Sequence, residues 1–373
     1  MRIFHCDHCQ ELVFFENVQC LTCGHTLAYL HDVSEVGSLE PSADGLFRAL
    51  GDEAEGRQYR LCQNYAVENV CNWAVPADDP NPLCPSCRLT RVIPTLDRDG
   101  RREKWFALEL AKRRTVYGLL SLGLPVAPKK EDEAHGLAFE FLADPDLEPV
   151  VEGEEPGEPP PPVLTGHADG VIVINIAEAD DAEREKRRMA MHEPYRTLLG
   201  HFRHEVGHYY WDRLIRDGAW LEPFRELFGD DREDYAAAIA RHYEQGPPAD
   251  WQTRFVSAYA SSHPWEDWAE TWAHYLHMTD TLETASECGL TLRPSQSNMP
   301  VARPRFSLRT ASVKPFDTMM KDWLAVTYML NNLNRGLGQR DSYPFVLAEP
   351  TIDKLRFVHK ICSGEPPEPT AAE

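Results

Sequence analysis

The spacing of apolar residues predicts a short N-terminal part rich in turns and strands, followed by a longer and mainly helical part. Within residues 10–19, the apolar stretch LVFF lies between two pairs of cysteines and predicts a short hairpin strand. Apolar residues that recur every three or four positions predict an amphipathic helix over residues 103–124. Runs of β-branched and aromatic residues predict strands over residues 137–142 and 171–176. The expected fold class is therefore α+β.

Further helices are expected in the C-terminal half. Pro194 and Pro264 each precede a helical pattern and are expected to open helices, because proline is tolerated in a first turn. The polar residues 221–252 are also expected to be helical with a break at GPPADW (246–251), and helices are expected over residues 316–333 and 350–361. The composition of three other segments predicts their structure. They are an exposed loop rich in Glu and Pro (144–162), a charged helix (183–191) and a disordered tail (364–373).

The length and charge of the chain limit its organisation and its partners. With 373 residues and 42% hydrophobic residues, it is long enough for more than one domain. The composition changes near residue 100, which predicts an N-terminal domain over residues 1–100 and a second domain over 101–363. The formal charge of -22 argues against binding to nucleic acid or to anionic membranes. No signal peptide or apolar membrane-spanning stretch is recognised, so a cytoplasmic protein is expected.

Eight of the ten cysteines fall before residue 90 and predict two structural zinc sites. The first four follow the pattern C-x2-C-x10-C-x2-C, which is typical of a zinc ribbon, whereas the second four are spaced less regularly. The first quartet is Cys6, Cys9, Cys20 and Cys23, and the second is Cys62, Cys71, Cys84 and Cys87. Disulfides are the alternative, but they are disfavoured in a chain without an export signal. His5, His8 and His25 lie near the first quartet and are expected to be solvated, because four thiolates already complete a tetrahedral site.

The stretch HFRHEVGHYYWD, residues 201–212, carries the pattern His-Glu-x-x-His at His204, Glu205 and His208. On a helix the two histidines lie one turn apart on one face, so both imidazoles can bind one zinc ion. Glu205 would then act as the base for a water bound to that ion and deliver the proton to a leaving amine. His201 shares this face, and we expect it to meet solvent or a backbone group.

A catalytic zinc site needs a third protein ligand, which a second helix is expected to supply. The metzincin arrangement is excluded, because Leu214 stands where that class requires a histidine. Glu266 and Glu270 lie one turn apart, which favours Glu266 as the ligand and Glu270 as the carboxylate that orients a ligand histidine. In the alternative, Glu270 is the ligand and His274 orients it. Tyr259 is a candidate donor to the oxyanion of the reaction, or else a packed aromatic residue.

Two stretches together, HFRHEVGHYYWDRL and FVSAYASSHPWEDWAETWAHYLH, resemble the family of zinc-binding metallopeptidases that carry an N-terminal zinc ribbon. The resemblance extends to CNWAVPADDPNPLCPSCRLTRVIP in the N-terminal part and to YPFVL near Tyr343. It implies a gluzincin-type site in a mostly helical, zincin-like domain with a small β-sheet, behind a double zinc ribbon. Within that domain, the strand over residues 171–176 has two interpretations. It is either an edge that pairs with an extended substrate or an ordinary core strand.

Three functional interpretations follow. The favoured one is a zinc peptidase with one catalytic and two structural zinc ions, whose substrate is a peptide or protein and whose ribbon can bind a protein partner. The alternative is an interaction or regulatory protein in which the zincin-like domain is a sensor with little turnover. Hydrolysis of a non-peptide amide is the third. Glu205 separates them, because a carboxylate beside the metal has no chemical task in a pure binding protein.

Overall fold

The structure is a computed structural model that describes residues 1–145, 163–184, 197–296, 301–309 and 314–367. Most of the predicted loop over 144–162, most of the predicted helix over 183–191, the predicted helix start at Pro194 and the end of the tail lie outside these residues. Within them, no helix combines the length and apolar character needed to cross a lipid bilayer.

The chain divides into two compact units. The ribbon unit comprises Ile3–Arg114 and Ala127–Arg184, and the helical unit comprises Met1–Arg2, Thr115–Val126 and Glu185–Glu373. Strands lie in the first unit and helices dominate the second, which confirms the α+β class. The strands of residues 138–175 therefore belong with the cysteine-rich part by their contacts, and the domain boundary near residue 100 stays a prediction.

The N-terminal part of the ribbon unit contains a small hairpin and a closed five-stranded barrel. In the hairpin, β1 (Phe4–His5) pairs antiparallel with β2 (Leu12–Val13), which confirms the predicted strand between the cysteine pairs. The barrel strands are β3 (Thr26–Leu30), β4 (Glu35–Pro41), β5 (Phe47–Ala49), β6 (Gln58–Leu61) and β7 (Trp73–Pro76). A parallel pairing of β3 with β7 closes the barrel and brings together the buried rings of Tyr29 and Trp73, which are tilted by 55° with their centroids 4.7 Å apart. The sequence analysis did not predict this barrel.

A four-stranded sheet completes the ribbon unit. Its strands are β8 (Thr90–Val92), β9 (Ala138–Leu142), β10 (Gly166–Ala168) and β11 (Val171–Asn175), in the order β10-β11-β9-β8. The chain turns from β10 to β11 at Asp169 and Gly170, both with positive φ, and a Cβ at Gly170 would lie 2.3 Å from the backbone of Gly136. Because β11 pairs on both sides, it is not an edge, and the substrate-pairing interpretation of residues 171–176 is wrong.

Helices make up most of the remaining described structure, and those of the helical unit carry the candidate site. Helix α1 (Gln63–Ala66) is a single turn, and α2 (Arg101–Ser121) confirms the helix predicted over residues 103–124. The prediction that this helix is amphipathic is wrong, because Glu109, Lys112 and Arg113 are buried together with its apolar residues. The helical unit contains α3 (Leu198–Leu214), α4 (Leu221–Phe228), α5 (Tyr235–Gln245), α6 (Pro264–Glu287), α7 (Phe316–Gly336) and α8 (Glu349–Cys362). The end of α5 at Gln245 confirms the predicted break at 246–251, but the residues before it form two helices and not one. The helical stretch breaks at Gly229, where φ is 110°, and restarts at Asp234, whose side chain caps α5.

Candidate metal centre

Helix α3 brings the two motif histidines together. Thr197 caps the helix by accepting a hydrogen bond from the backbone N–H of Gly200. One turn apart on the inner face, His204 and His208 lie with their Nε2 atoms 3.1 Å from each other, and both side chains are buried. The ring of His208 packs on Trp265 with centroids 3.8 Å apart. Both imidazoles are therefore held in fixed orientations with their Nε2 atoms toward one point.

Helix α6 supplies a carboxylate to the same point. Glu266 Oε2 lies 3.0 Å from His204 Nε2 and 3.5 Å from His208 Nε2. Burial opposes its ionisation, but the charges of His208 and His204, whose Nε2 atoms face this carboxylate, hold the pKa of Glu266 well below its usual range. Within the described part of the chain, these three residues form one group whose ligand atoms lie within 4.8 Å of one another. The third ligand expected from a second helix is thus brought to the motif.

The donor set fits a zinc ion. Bonds of about 2.0–2.1 Å from zinc to nitrogen or oxygen place tetrahedral ligand atoms about 3.3–3.4 Å apart, close to the separations seen here. Among the described residues, Oε2 of Glu266 is buried without a hydrogen-bond donor, and so is Oε2 of Glu205. A buried carboxylate oxygen without a donor is costly, and a bound cation would remove that cost.

Glu270 orients His204. The Nδ1 atom of His204 donates to Glu270 Oε1 at 2.7 Å, and the hydroxyl of Ser257 donates to Glu270 Oε2 at 2.6 Å. Burial opposes ionisation of Glu270, but the hydrogen bond and charge of His204, with smaller contributions from His274 and Ser257, lower its pKa to about 2. A proton on Nδ1 leaves Nε2 of His204 as the metal-binding atom.

The alternative assignment, with Glu270 as ligand and His274 as its orienting group, finds less support in the geometry. Nδ1 of His274 lies 2.7 Å from the hydroxyl of Tyr343, and burial lowers the pKa of His274 to about 4. Both oxygens of Glu270 already accept hydrogen bonds, from His204 and Ser257. Glu266 is therefore the carboxylate that faces both Nε2 atoms.

Glu205 lies beside the two motif histidines. Its Oε1 accepts a hydrogen bond, whereas its Oε2 has no hydrogen-bond donor among the described residues. Nε2 of His201 donates to Glu205 Oε1 at 3.0 Å, so the expectation that His201 meets solvent or a backbone group is wrong. Burial opposes ionisation, but the hydrogen bond and charge of His201, with the charges of both motif histidines, lower the pKa of Glu205. The carboxylate is thus an ionised acceptor at neutral pH.

Two tyrosines stand at the site, and sequence reasoning found only one. Tyr259 begins the short 3-10 turn Tyr259–Ser261, and its ring centroid lies 6.0 Å from that of His204. Tyr235 begins α5, and its hydroxyl donates to Glu266 Oε1 at 2.7 Å. Nothing in the pattern around Tyr235 or Ser257 indicated a role, because each reaches its carboxylate through the tertiary fold.

A glycine sets the separation of α3 and α6. The carbonyl of Gly207 accepts a hydrogen bond from Nε1 of Trp268 at 2.8 Å. A Cβ at Gly207 would lie 3.0 Å from Cα of Ala269 and 3.2 Å from Cβ of Trp272, closer than ordinary van der Waals contact. Glycine therefore permits the close helix approach that places Glu266 against the two histidines.

The first cysteine quartet, Cys6, Cys9, Cys20 and Cys23, is brought together by two similar turns. The backbone N–H of Gln10 bonds the carbonyl of Cys6, as that of Gly24 bonds the carbonyl of Cys20, and both turn residues have positive φ. Sγ atoms lie 3.5 Å apart in the pairs Cys6–Cys23 and Cys9–Cys20. Zinc–sulfur bonds of about 2.3 Å imply separations of about 3.8 Å, so the quartet fits a zinc ion.

The second quartet, Cys62, Cys71, Cys84 and Cys87, is also brought together, despite its irregular spacing. All four side chains are buried, and the Sγ atoms of Cys71 and Cys84 lie 3.8 Å apart. Backbone N–H groups point at these sulfurs, from Trp73 to Cys71 at 3.4 Å and from Cys84 to Cys62 at 3.3 Å. None of the ten cysteines forms a disulfide.

Two cysteine quartets and the group of His204, His208 and Glu266 could each hold a metal ion, which is the composition of a metal-binding protein. The family model described as "Putative zinc-binding metallo-peptidase" matches residues 101–361, and that of a zinc-ribbon domain matches residues 3–98. The chain belongs to this family of zinc-binding metallopeptidases, which confirms the resemblance seen in the sequence.

Relatives of nearly the same length occur in mycobacteria. An uncharacterized protein of Mycobacterium tuberculosis (strain ATCC 25618 / H37Rv) is 41% identical over 369 residues, which cover 99% of this chain and 97% of the relative. An uncharacterized protein of Mycobacterium bovis (strain ATCC BAA-935 / AF2122/97) matches with the same identity and the same coverage. No solved structure matches the chain.

Proposed function

We propose that this protein is a zinc-dependent peptidase, in which His204, His208 and Glu266 hold one zinc ion. The proposal is carried by one observation, the convergence of Glu266 Oε2 on both histidine Nε2 atoms with Glu205 beside them. When bound, zinc is a Lewis acid that lowers the pKa of a water at its open position and polarises a carbonyl. Three protein ligands leave that position available for water and substrate.

Glu205 is the proposed general base. Because its pKa is lowered, the Glu205 carboxyl is ionised at neutral pH and can accept a proton. Its Oε2 has no hydrogen-bond donor among the described residues. In the proposed reaction, Glu205 takes the proton of the attacking water and passes it to the leaving amine. His201 holds Oε1 and so fixes the carboxylate plane.

Tyr259 is the proposed donor to the oxyanion that forms at the scissile carbonyl. Its ring lies next to those of His204 and His242, at 6.0 Å and 5.9 Å between centroids. Tyr235 has a different proposed task. By donating to Glu266 Oε1, it favours binding of the metal through Oε2 alone.

Two further zinc ions are proposed for the cysteine quartets, which gives three per chain.

The proposed substrate is a peptide or protein. The ribbon is proposed to bind a protein partner, since three apolar side chains near the first quartet are exposed: Leu12 (63%), Phe14 (77%) and Leu21 (94%). The charge of -22 disfavours nucleic acid. The same exposed ribbon residues favour the alternative function, an interaction or regulatory protein with little turnover. A cytoplasmic location stays a prediction.

The test is cleavage of a peptide library by the zinc-loaded chain beside its Glu205→Gln variant. Turnover is expected to fall by about 10²–10⁴-fold in Glu205→Gln, while the zinc content stays unchanged. Glu287→Gln, an exposed position at the end of α6, is the matched control and should cleave like the wild type. Equal cleavage, or equal inactivity, of wild type and Glu205→Gln would favour the interaction protein.

A further inference from the structure

A third kind of metal-ligating group lies at the surface of the ribbon unit. The ligand atoms of His8, Cys23 and His25 lie within 4.8 Å of one another. His8 and His25 each sit on one of the two turns of the first quartet, and their rings stack with centroids 4.1 Å apart. Nδ1 of His25 is 3.3 Å from Sγ of Cys23. Two imidazoles and one thiolate therefore converge beside the proposed structural zinc site.

The surroundings of His25 match those of a metal-bound histidine. Its Nε2 atom faces Oε1 of Glu40 at 3.8 Å, while Nδ1 faces the thiolate. A histidine that binds a metal through one ring nitrogen commonly directs the other toward a carboxylate. Glu270 faces His204 in the helical unit more closely, at 2.7 Å, whereas Glu40 also pairs with Arg48. His8 is exposed and Cys23 is half-buried, so the group is open to solvent.

Charge also favours a second cation at this position. Four thiolates around one Zn²⁺ carry a net double negative charge, and a second divalent ion would make the cluster neutral. The second quartet is buried, and its metal-ligating group among the described residues contains cysteines only. The first quartet differs from it by having two imidazoles at hand. Thiolate and imidazole are ligands that zinc prefers.

We propose that His8, Cys23 and His25 form a second zinc site on the ribbon, in which the Cys23 thiolate bridges two zinc ions. This site rests on the proposed structural ion of the first quartet, because Cys23 serves both. Three protein ligands and solvent exposure make its ion easier to exchange than those bound by four cysteines. The ribbon would thus carry one retained ion and one exchangeable ion.

The experiment is zinc titration of the full chain followed by native mass spectrometry, with Zn²⁺ alone as the probe. The wild type is expected to bind one more zinc ion than the double variant His8→Ala/His25→Ala. His5→Ala removes an exposed histidine from the adjacent strand and is expected to keep the wild-type count. As a second readout, Co²⁺ added to the chain with three zinc ions should give tetrahedral absorption bands in the wild type and in His5→Ala, and none in the double variant.

Equal zinc counts in the wild type and the double variant would overturn the site and leave the imidazoles as neighbours of the thiolate. Loss of two ions from the double variant would also overturn it, since the histidines would then support the first quartet itself. The Cys6→Ser variant separates this from failure of the ribbon zinc. If Cys6→Ser binds as many ions as the wild type, the first quartet holds no zinc, and the shared site falls with it. If only the His204→Ala variant loses a zinc ion, that result concerns the proposed peptidase site and not the ribbon.

Discussion

The buried cysteine quartet of the ribbon unit and the His204, His208 and Glu266 site of the helical unit both bring ligand atoms to metal-binding distances, but their surroundings differ. Around the quartet, the sulfurs receive backbone N–H groups and four ligands complete a tetrahedron. Around the second site, the ligands are three, and side chains from α3, α5 and α6 hold them. In the proposed roles, the first arrangement would tie folding to the metal, whereas the second would leave a position open for chemistry.

The largest effect that this comparison predicts is on folding. Cys84→Ser should lower the free energy of unfolding of the ribbon unit by on the order of 5 kcal/mol, a fraction of the binding free energy of a structural zinc ion. The reason is that Cys84 is buried and its zinc ligation exists only in the folded unit. Thermal unfolding and zinc content would be measured. Cys288→Ser, an exposed cysteine, is the control, and a similar melting curve for both variants would contradict the folding role.

The second prediction concerns the open site. Glu266→Ala should lose one zinc ion and all turnover, because no other described carboxylate faces both Nε2 atoms, yet far-ultraviolet circular dichroism should show the helices retained. Zinc content and peptide cleavage are the measurements, with Glu287→Ala on the same helix as control. If Glu266→Ala keeps its zinc while Glu270→Ala loses it, the ligand assignment is reversed.

A smaller effect is expected at Glu270. Glu270→Ala removes the acceptor of His204 Nδ1–H, so the zinc affinity of the open site should fall by about 10–100-fold while the ion still binds at high zinc concentration. Competition with a chromogenic chelator would measure the affinity. Glu270→Gln keeps an acceptor oxygen and should recover most of the loss. No recovery in Glu270→Gln would indicate that the negative charge, and not ring orientation, is what matters.

The smallest predicted effect is at Tyr235. Tyr235→Phe removes one donor to Glu266 Oε1, and zinc affinity should fall by at most about tenfold, because Tyr235 is 41% exposed and water can replace its hydroxyl. The same chelator competition applies, with Tyr243→Phe on α5 as control. An unchanged zinc affinity with a large fall in kcat would instead make Tyr235, and not Tyr259, the donor to the oxyanion.

Local patterns predicted the parts of both sites that depend on short sequence distances. The cysteine spacings identified both quartets, and the helical period linked His204 to His208 and Glu266 to Glu270. The contact of His201 with Glu205 follows the same four-residue spacing. The sequence analysis missed this contact because it compared His201 with His204, three residues later, and not with Glu205, four residues later.

Long-range features were beyond the sequence patterns. The barrel of residues 26–76 is built from short strands that lack sustained alternation, and the parallel contact of β3 with β7 joins segments far apart in the chain. Tyr235 and Ser257 reach the site from a helix start and a loop, where nothing local marks them. The break at Gly229 was a missed local signal, since glycine commonly ends a helix.

The close approach of α3 and α6 at Gly207 has a consequence for the thermodynamics of metal binding. The two helices are held together by contacts that involve no candidate ligand, namely the hydrogen bond from Trp268 to Gly207 and the close approach of Gly207 to Ala269. An ion that enters such a site finds its ligands already ordered, so little conformational entropy is lost on binding. The cost of ordering is met when the protein folds, and the affinity of the open site is thereby tied to the rigidity of two helices.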